Sequence, residues 1–135
     1  MEDLRKFNEF NTVALLLHGE LTDKRNLGKI DDLLSMIHAA GYLAGLATHR
    51  PFSTLNWLLK ADLDIDLTMV PFNGLGMFMD AEPNEVAELI RRLGKPVIGK
   101  KILGAGRIEP KDAINFVIQS KCIDFIALDV ASERG

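Results

Sequence analysis

Short apolar runs alternate with segments of helical periodicity along the chain, and no other feature narrows its possible folds as far. The runs are VALLL at 13–17, LAGLA at 43–47, IDLTMV at 65–70, VIG at 97–99 and FIAL at 125–128. Each is bounded by polar residues or glycine, and most are apolar at successive positions. Strands covered on both faces of a parallel sheet have this pattern. Between the first two runs, Leu27, Ile30, Leu33, Leu34 and Ile37 recur at helical spacing, and Gly41 stands where a left-handed residue ends a helix. Leu55, Leu58 and Leu59 form a shorter stripe, with Pro51 near its start. Pro83 opens one with Val86, Leu89, Ile90 and Leu93, closed by Gly94, and Pro110 opens one with Ala113, Ile114, Val117 and Ile118. Residues 2–10 read as the end of a further helix that leads into the first strand.

The order is βαβαβαβαβ, which implies right-handed crossovers and a parallel sheet of the α/β class. At 135 residues the chain is one domain, spanning 1–135. Two architectures accommodate it. One is a partial (β/α)8 TIM barrel, since a complete one takes roughly 250 residues. The alternative is an open doubly wound five-stranded sheet. The short stretch after the fifth run leaves no room for a covering helix, which reads as a segment cut from a longer barrel.

Composition removes several classes of function. Sixteen basic and 19 acidic residues give a net charge of -3, without the basic footprint of a nucleic-acid partner. The single cysteine, Cys122, excludes an intrachain disulfide framework and suits a reducing compartment. No apolar run approaches the ~20 residues of a membrane span, and the charged N-terminus is no signal peptide. These features lead us to expect a soluble, cytoplasmic protein with no membrane partner.

In either architecture a ligand sits beyond the C-terminal ends of the strands. Polar residues collect there: His18-Gly19-Glu20, Thr48-His49-Arg50, Pro71-Phe72-Asn73, Lys100-Lys101, and Asp129 followed by Ala131-Ser132. We take His18 and Lys100 as catalytic candidates, and His49, Asn73, Gly104, Gly106 and Ser132 as substrate- or cofactor-binding candidates. His18 would be an acid or hydrogen-bond donor, with His49 and Asn73 orienting. Gly104-Ala105-Gly106 and Ala131-Ser132 are small enough to bring backbone N–H groups against a phosphate. Lys100 and Lys101 should alternate in direction, one toward the strand interior and one toward the helices. His38, within a helix, reads as structural; Glu20 and Arg50 default to solvent, and Asp129 suits a turn cap as well as a ligand. Met77, Phe78 and Met79 suit either an apolar pocket or a partner surface, and the surface is the preferred reading. No GxGxxG or GxxxxGK[ST] motif is present, and no HxH or HExxH spacing assigns a metal.

The order and spacing of five segments resemble the C-terminal part of the aldo-keto reductase family, over nearly the whole length. VALLLHGE is similar to the family's fourth strand, which ends in its catalytic His, here His18. GYLAGLATHRPF is similar to the fifth, with Thr48-His49 where a Ser-Asn pair holds the nicotinamide carboxamide. DLTMVPFN resembles the sixth, keeping Asn73 and carrying Met69 for a Gln. PVIGKKILGAGRI resembles the seventh, matching Leu103, Gly104 and Gly106, with Lys100 for the stacking aromatic. IDFIALDVAS resembles the eighth, keeping Ala131-Ser132. The resemblance implies an aldo-keto-reductase-like partial barrel that binds a phosphate-containing ligand, or NADPH as nicotinamide cofactor, at its rim. The Asp, Tyr and Lys of the family's catalytic tetrad belong to the preceding half-barrel, so oxidoreductase activity is not implied for this chain alone. Two further expectations stand beside it. The paired lysines suit a lysine-dependent aldolase or lyase, and exposed barrel edges suit a non-catalytic domain that assembles as a homodimer.

Overall fold

The structure, a computed structural model, describes residues 11–129. The helix expected over 2–10, and Ala131 and Ser132, lie outside the described residues. The elements run β1 (Ala14–Leu17), α1 (Gly19–Asp23), α2 (Leu27–Ala39), β2 (Leu43–Ala47), α3 (Pro51–Lys60), β3 (Leu67–Pro71), α4 (Pro83–Leu93), β4 (Val97–Lys100), α5 (Pro110–Ser120) and β5 (Phe125–Ile126). The protein is α/β, as its alternating periods predict. Prolines open α3, α4 and α5, and Gly94 takes the left-handed conformation that closes α4 (φ 68°). The short helix α1 is too brief to leave a periodic signature in the sequence.

All strands are parallel and their spatial order is β1-β2-β3-β4-β5. This is the order that consecutive strands of a barrel take, and it has no reversal of the kind that gives a doubly wound sheet its switch point. Right-handed crossovers that always step the same way put their helices on one face. The register shows that face directly. Leu17, Leu46, Thr68 and Val97 are cross-strand partners, as are Val70 and Gly99, and all are buried. Phe72 continues the same row and lies against Phe116 of α5, ring centroids 5.6 Å apart. The core is therefore a single layer between the sheet and the helices, with Ile30, Leu34 and Ile37 of α2, Leu55 and Leu58 of α3, and Val86 and Ile90 of α4.

The opposite face differs from the expectation of strands covered on both sides. Its rows are Ala14 with Leu43; Leu16, Gly45 and Leu67; Ala47, Met69, Ile98 and Phe125; and Pro71 with Lys100. These side chains are mostly apolar, as in a barrel interior, yet Leu43 is 47% and Phe125 61% exposed. Among the described residues, no helix covers this face, and none is long and apolar enough to cross a membrane.

Candidate functional site

At the C-terminal ends of the strands, the side chains of β1, β2 and β4 converge on the rim of the open face. His18 caps α1: its Nδ1 accepts the backbone N–H of Glu20 at 3.2 Å. A neutral His18 thus carries its proton on Nε2, on the side free to donate. Its ring meets His49 edge-on, centroids 5.9 Å apart. His49 packs across Gly19, where an added Cβ would come within 2.7 Å of the His49 Nε2. Glycine at 19 is what lets the two imidazoles lie side by side.

A carboxylate fixes this pair from below. Asp23, at the end of α1, accepts the Thr48 hydroxyl at 2.6 Å and the His49 backbone N–H at 3.2 Å. Its carboxylate also stands 3.9 Å from the His49 Nδ1. Thr48 is fully buried; its Oγ1 shares a hydrogen bond with Thr54 at 2.8 Å and accepts the Arg50 N–H at 3.0 Å. The exit of β2 is thereby tied to α1. Among the described residues, no group of three or more His, Cys, Asp or Glu side chains converges as metal ligands.

The lysines occupy the exit of β4. Lys100 is in register with Pro71 and so lies on the open face, half-buried. Burial, and secondarily the adjacent Lys101 charge, hold its ammonium below the usual lysine range, although Asp23 pulls the other way. Lys101 does not turn back toward the helices as strand alternation predicts. Its φ of 56° takes it out of the strand, and its Nζ lies 6.0 Å from the Phe78 ring centroid. That single left-handed residue lets both lysines reach one groove. A cavity of about 360 Å³ is lined by His49, Pro71, Phe78, Lys100 and Lys101. A second, of about 190 Å³, shares Phe78 and Lys101 and continues past Leu103, Ala105 and Gly106 to Asp129. Among the described residues neither ammonium is in an ion pair.

Two loops wall this groove. After β3, Asn73 is completely buried, with its amide hydrogen-bonded to the carbonyls of Met77 and Lys101 and to the N–H groups of Leu75 and Met77. Every position of the side chain is used, so Asn73 shapes the site by holding the loop that carries Phe78. The far end of the loop is anchored by Asp80. Its carboxylate accepts the backbone N–H groups of Phe52 (2.7 Å) and Ser53 (3.0 Å) and the Ser53 hydroxyl (2.6 Å). Desolvation raises the Asp80 pKa, but these donors outweigh it, and the carboxyl sits below its ordinary value. Phe78 thus lines both cavities, while Met77 and Met79 line neither.

The second loop follows β4. Gly104, Ala105 and Gly106 are all left-handed, with φ of 59°, 58° and 81°. The Gly104 N–H is bonded to the Lys101 carbonyl, whereas the N–H groups of Ala105 and Gly106 have no acceptor among the described residues. Of the candidates named from sequence, the structure brings His18 and His49 together, Lys100 into the larger cavity with His49, and Gly106 into the smaller one. Gly104 supports the turn, Asn73 the Phe78 loop, and Ser132 lies outside the described residues. Sequence reasoning missed Asp23 and Asp80, whose partners lie 25 to 31 and 27 to 28 positions away along the chain.

Comparison with family models and with curated proteins gives no match. The nicotinamide implied by the resemblance fits poorly. Thr48, which would face the carboxamide, is buried and has its hydroxyl engaged by Asp23, Thr54 and Arg50. Lys100, a flexible aliphatic amine, would take the place of the aromatic that stacks on the ring.

Proposed function

We propose that this chain is an aldo-keto-reductase-like barrel segment that binds a small, phosphate-bearing anion at its rim, between the lysines at the exit of β4 and the 104–106 turn. One observation carries the reading: Lys101, outside any ion pair among the described residues, is common to both cavities, and the N–H groups of Ala105 and Gly106, without an acceptor among those residues, are on the turn that follows it. Cations and free amides at the end of a parallel strand are the groups that hold phosphate by charge-assisted hydrogen bonds. Asp129 lines the far side of the smaller cavity, which favours the anion at the Lys101 end. The sequential strand order supports the barrel relationship.

Isothermal titration with inorganic phosphate tests the reading. We expect saturable binding that Lys101→Ala weakens about tenfold, the usual size of one charge-assisted contact. NADPH should compete through its phosphates. An absence of heat for phosphate and NADPH alike at millimolar concentration overturns the proposal.

A second reading concerns assembly, and the exposed apolar rows of the open face favour it. Leu43, Phe125 and the half-buried Met69 and Ile98 present a surface that a homodimer would cover, and β1 and β5 have free edges among the described residues. Light scattering tests this: a concentration-independent monomer contradicts it.

A further inference from the structure

We propose that Lys100 is a nucleophile that forms an imine with a short aldehyde or ketone carrying an anionic group, with Lys101 holding the anion. The inference rests on the anion site proposed above and deepens it by naming a substrate class and a reaction. Its basis is placement. Lys100 is fixed on the last residue of β4, on the open face, and lines a cavity of about 360 Å³. That volume lies at the small end of ligand sites, enough for a compound of a few carbons. Lys101 lines the same cavity and is kept within reach of it by its left-handed backbone and the Phe78 ring. His49 lines it too, with a second imidazole against it.

The lysines have different environments, and this divides their roles. Lys101 is exposed at the mouth of the cavity. Lys100 is half-buried beside the Lys101 charge, and both effects favour its free amine, the form that attacks carbonyls. In the reaction, the Lys100 Nζ lone pair forms a bond to the carbonyl carbon while the carbonyl π pair moves to oxygen. The oxygen takes up protons, one lost from Nζ and one from solvent at the open mouth. The C–O bond then breaks, water leaves, and the nitrogen lone pair completes the C=N bond. Amine, carbonyl and one proton give a protonated imine and one water, with no change of oxidation state. An anion one or two carbons away, carboxylate or phosphate, would lie against Lys101.

Borohydride trapping followed by peptide mass mapping tests the proposal on the intact chain. The probes are pyruvate, glycolaldehyde phosphate and uncharged glycolaldehyde. We expect a reduced adduct on Lys100, about tenfold heavier than on any exposed lysine, from whichever charged probe fits. Adduct from pyruvate alone identifies a carboxylate substrate, and from glycolaldehyde phosphate alone a phosphorylated one. Excess inorganic phosphate should suppress the labelling. Lys100→Arg, with its fold verified by circular dichroism, should lose that adduct. Labelling spread evenly over the lysines, or none on Lys100, overturns the proposal. If phosphate still binds by calorimetry in that case, the anion site survives and only the imine chemistry is rejected. Equal labelling of Lys100 by charged and uncharged probes overturns the role given to Lys101 and counts against the anion site.

Discussion

Asp66 shows how one side chain can set the acid limit of the fold. Its carboxylate accepts the Ala44 N–H at 2.8 Å, at the start of β2, and bonds the His38 Nε2 at 2.8 Å. The Ala44 bond and then His38 hold its pKa below the ordinary 3.8, against some desolvation. A carboxyl with a lowered folded pKa adds stability above its unfolded value and loses it as pH falls through the folded one. Acid unfolding should therefore steepen below about pH 4, and Asp66→Asn should blunt that dependence while costing about 1 kcal/mol at neutral pH. Denaturant midpoints measured against pH check both. His38 read as structural from its helical position alone, and the Asp66 contact supplies the reason. At the rim, Gly19→Ala should displace the His49 ring rather than unfold the protein, because the clash is with the end of a side chain that is about half exposed. A shift of the His49 ring resonances with little loss of melting temperature is the expected result. The rim positions of His18, His49 and Lys100 were legible because each ends a strand or follows one within two residues. Asp23 and Asp80 were not, because each acts on backbone amides and hydroxyls of a distant segment, and a lone aspartate at a helix end or in a loop has no local signature of that.

At the scale of elements, boundaries were read well where the chemistry is local. Pro51, Pro83 and Pro110 each open a helix, and the left-handed Gly94 ends one. The direction of Lys101 could not be read, since strand alternation holds only while φ stays extended and here it reverses sign. The helix α3 has no capping side chain of its own at Arg50, and Asp80 fills that role from the loop after β3. Asp80→Ala should cost about 1 kcal/mol, the usual loss for a helix cap. Because the same residue anchors the loop carrying Phe78, the substitution should also weaken phosphate binding, whereas an isolated helix-cap defect would leave it unchanged. Thermal melts and calorimetry on the one variant separate these outcomes. In the sheet, Gly45 lies where a Cβ would run into the Leu67 carbonyl of the neighbouring strand. Gly45→Ala should therefore destabilise the β2–β3 pairing, which hydrogen exchange at the paired amides would report.

At the scale of the molecule, the described residues form a sheet packed on one side. Runs apolar at successive positions correctly indicated a parallel sheet, but they could not tell a face covered by helices from one that is apolar and open, since both demand the same residues. The register separates them: the Leu46, Thr68 and Val97 row is buried under helices, and the Met69, Ile98 and Phe125 row is not. If copies of the chain cover that face, Ile98→Asp should lower the mass measured by light scattering to that of a monomer; an unchanged mass removes the face from the interface. The open side also places the exits of β2 and β4 around one groove, so the rim groove and the open face have a common origin in the sequential strand order.

The most direct test of the anion site is a phosphate titration followed by amide NMR. We expect saturable shifts at Lys101, Ala105 and Gly106, smaller ones at His49, and none at the opposite end near His38 and Asp66. Shifts scattered over the surface, or none at residues 101–106, would contradict it.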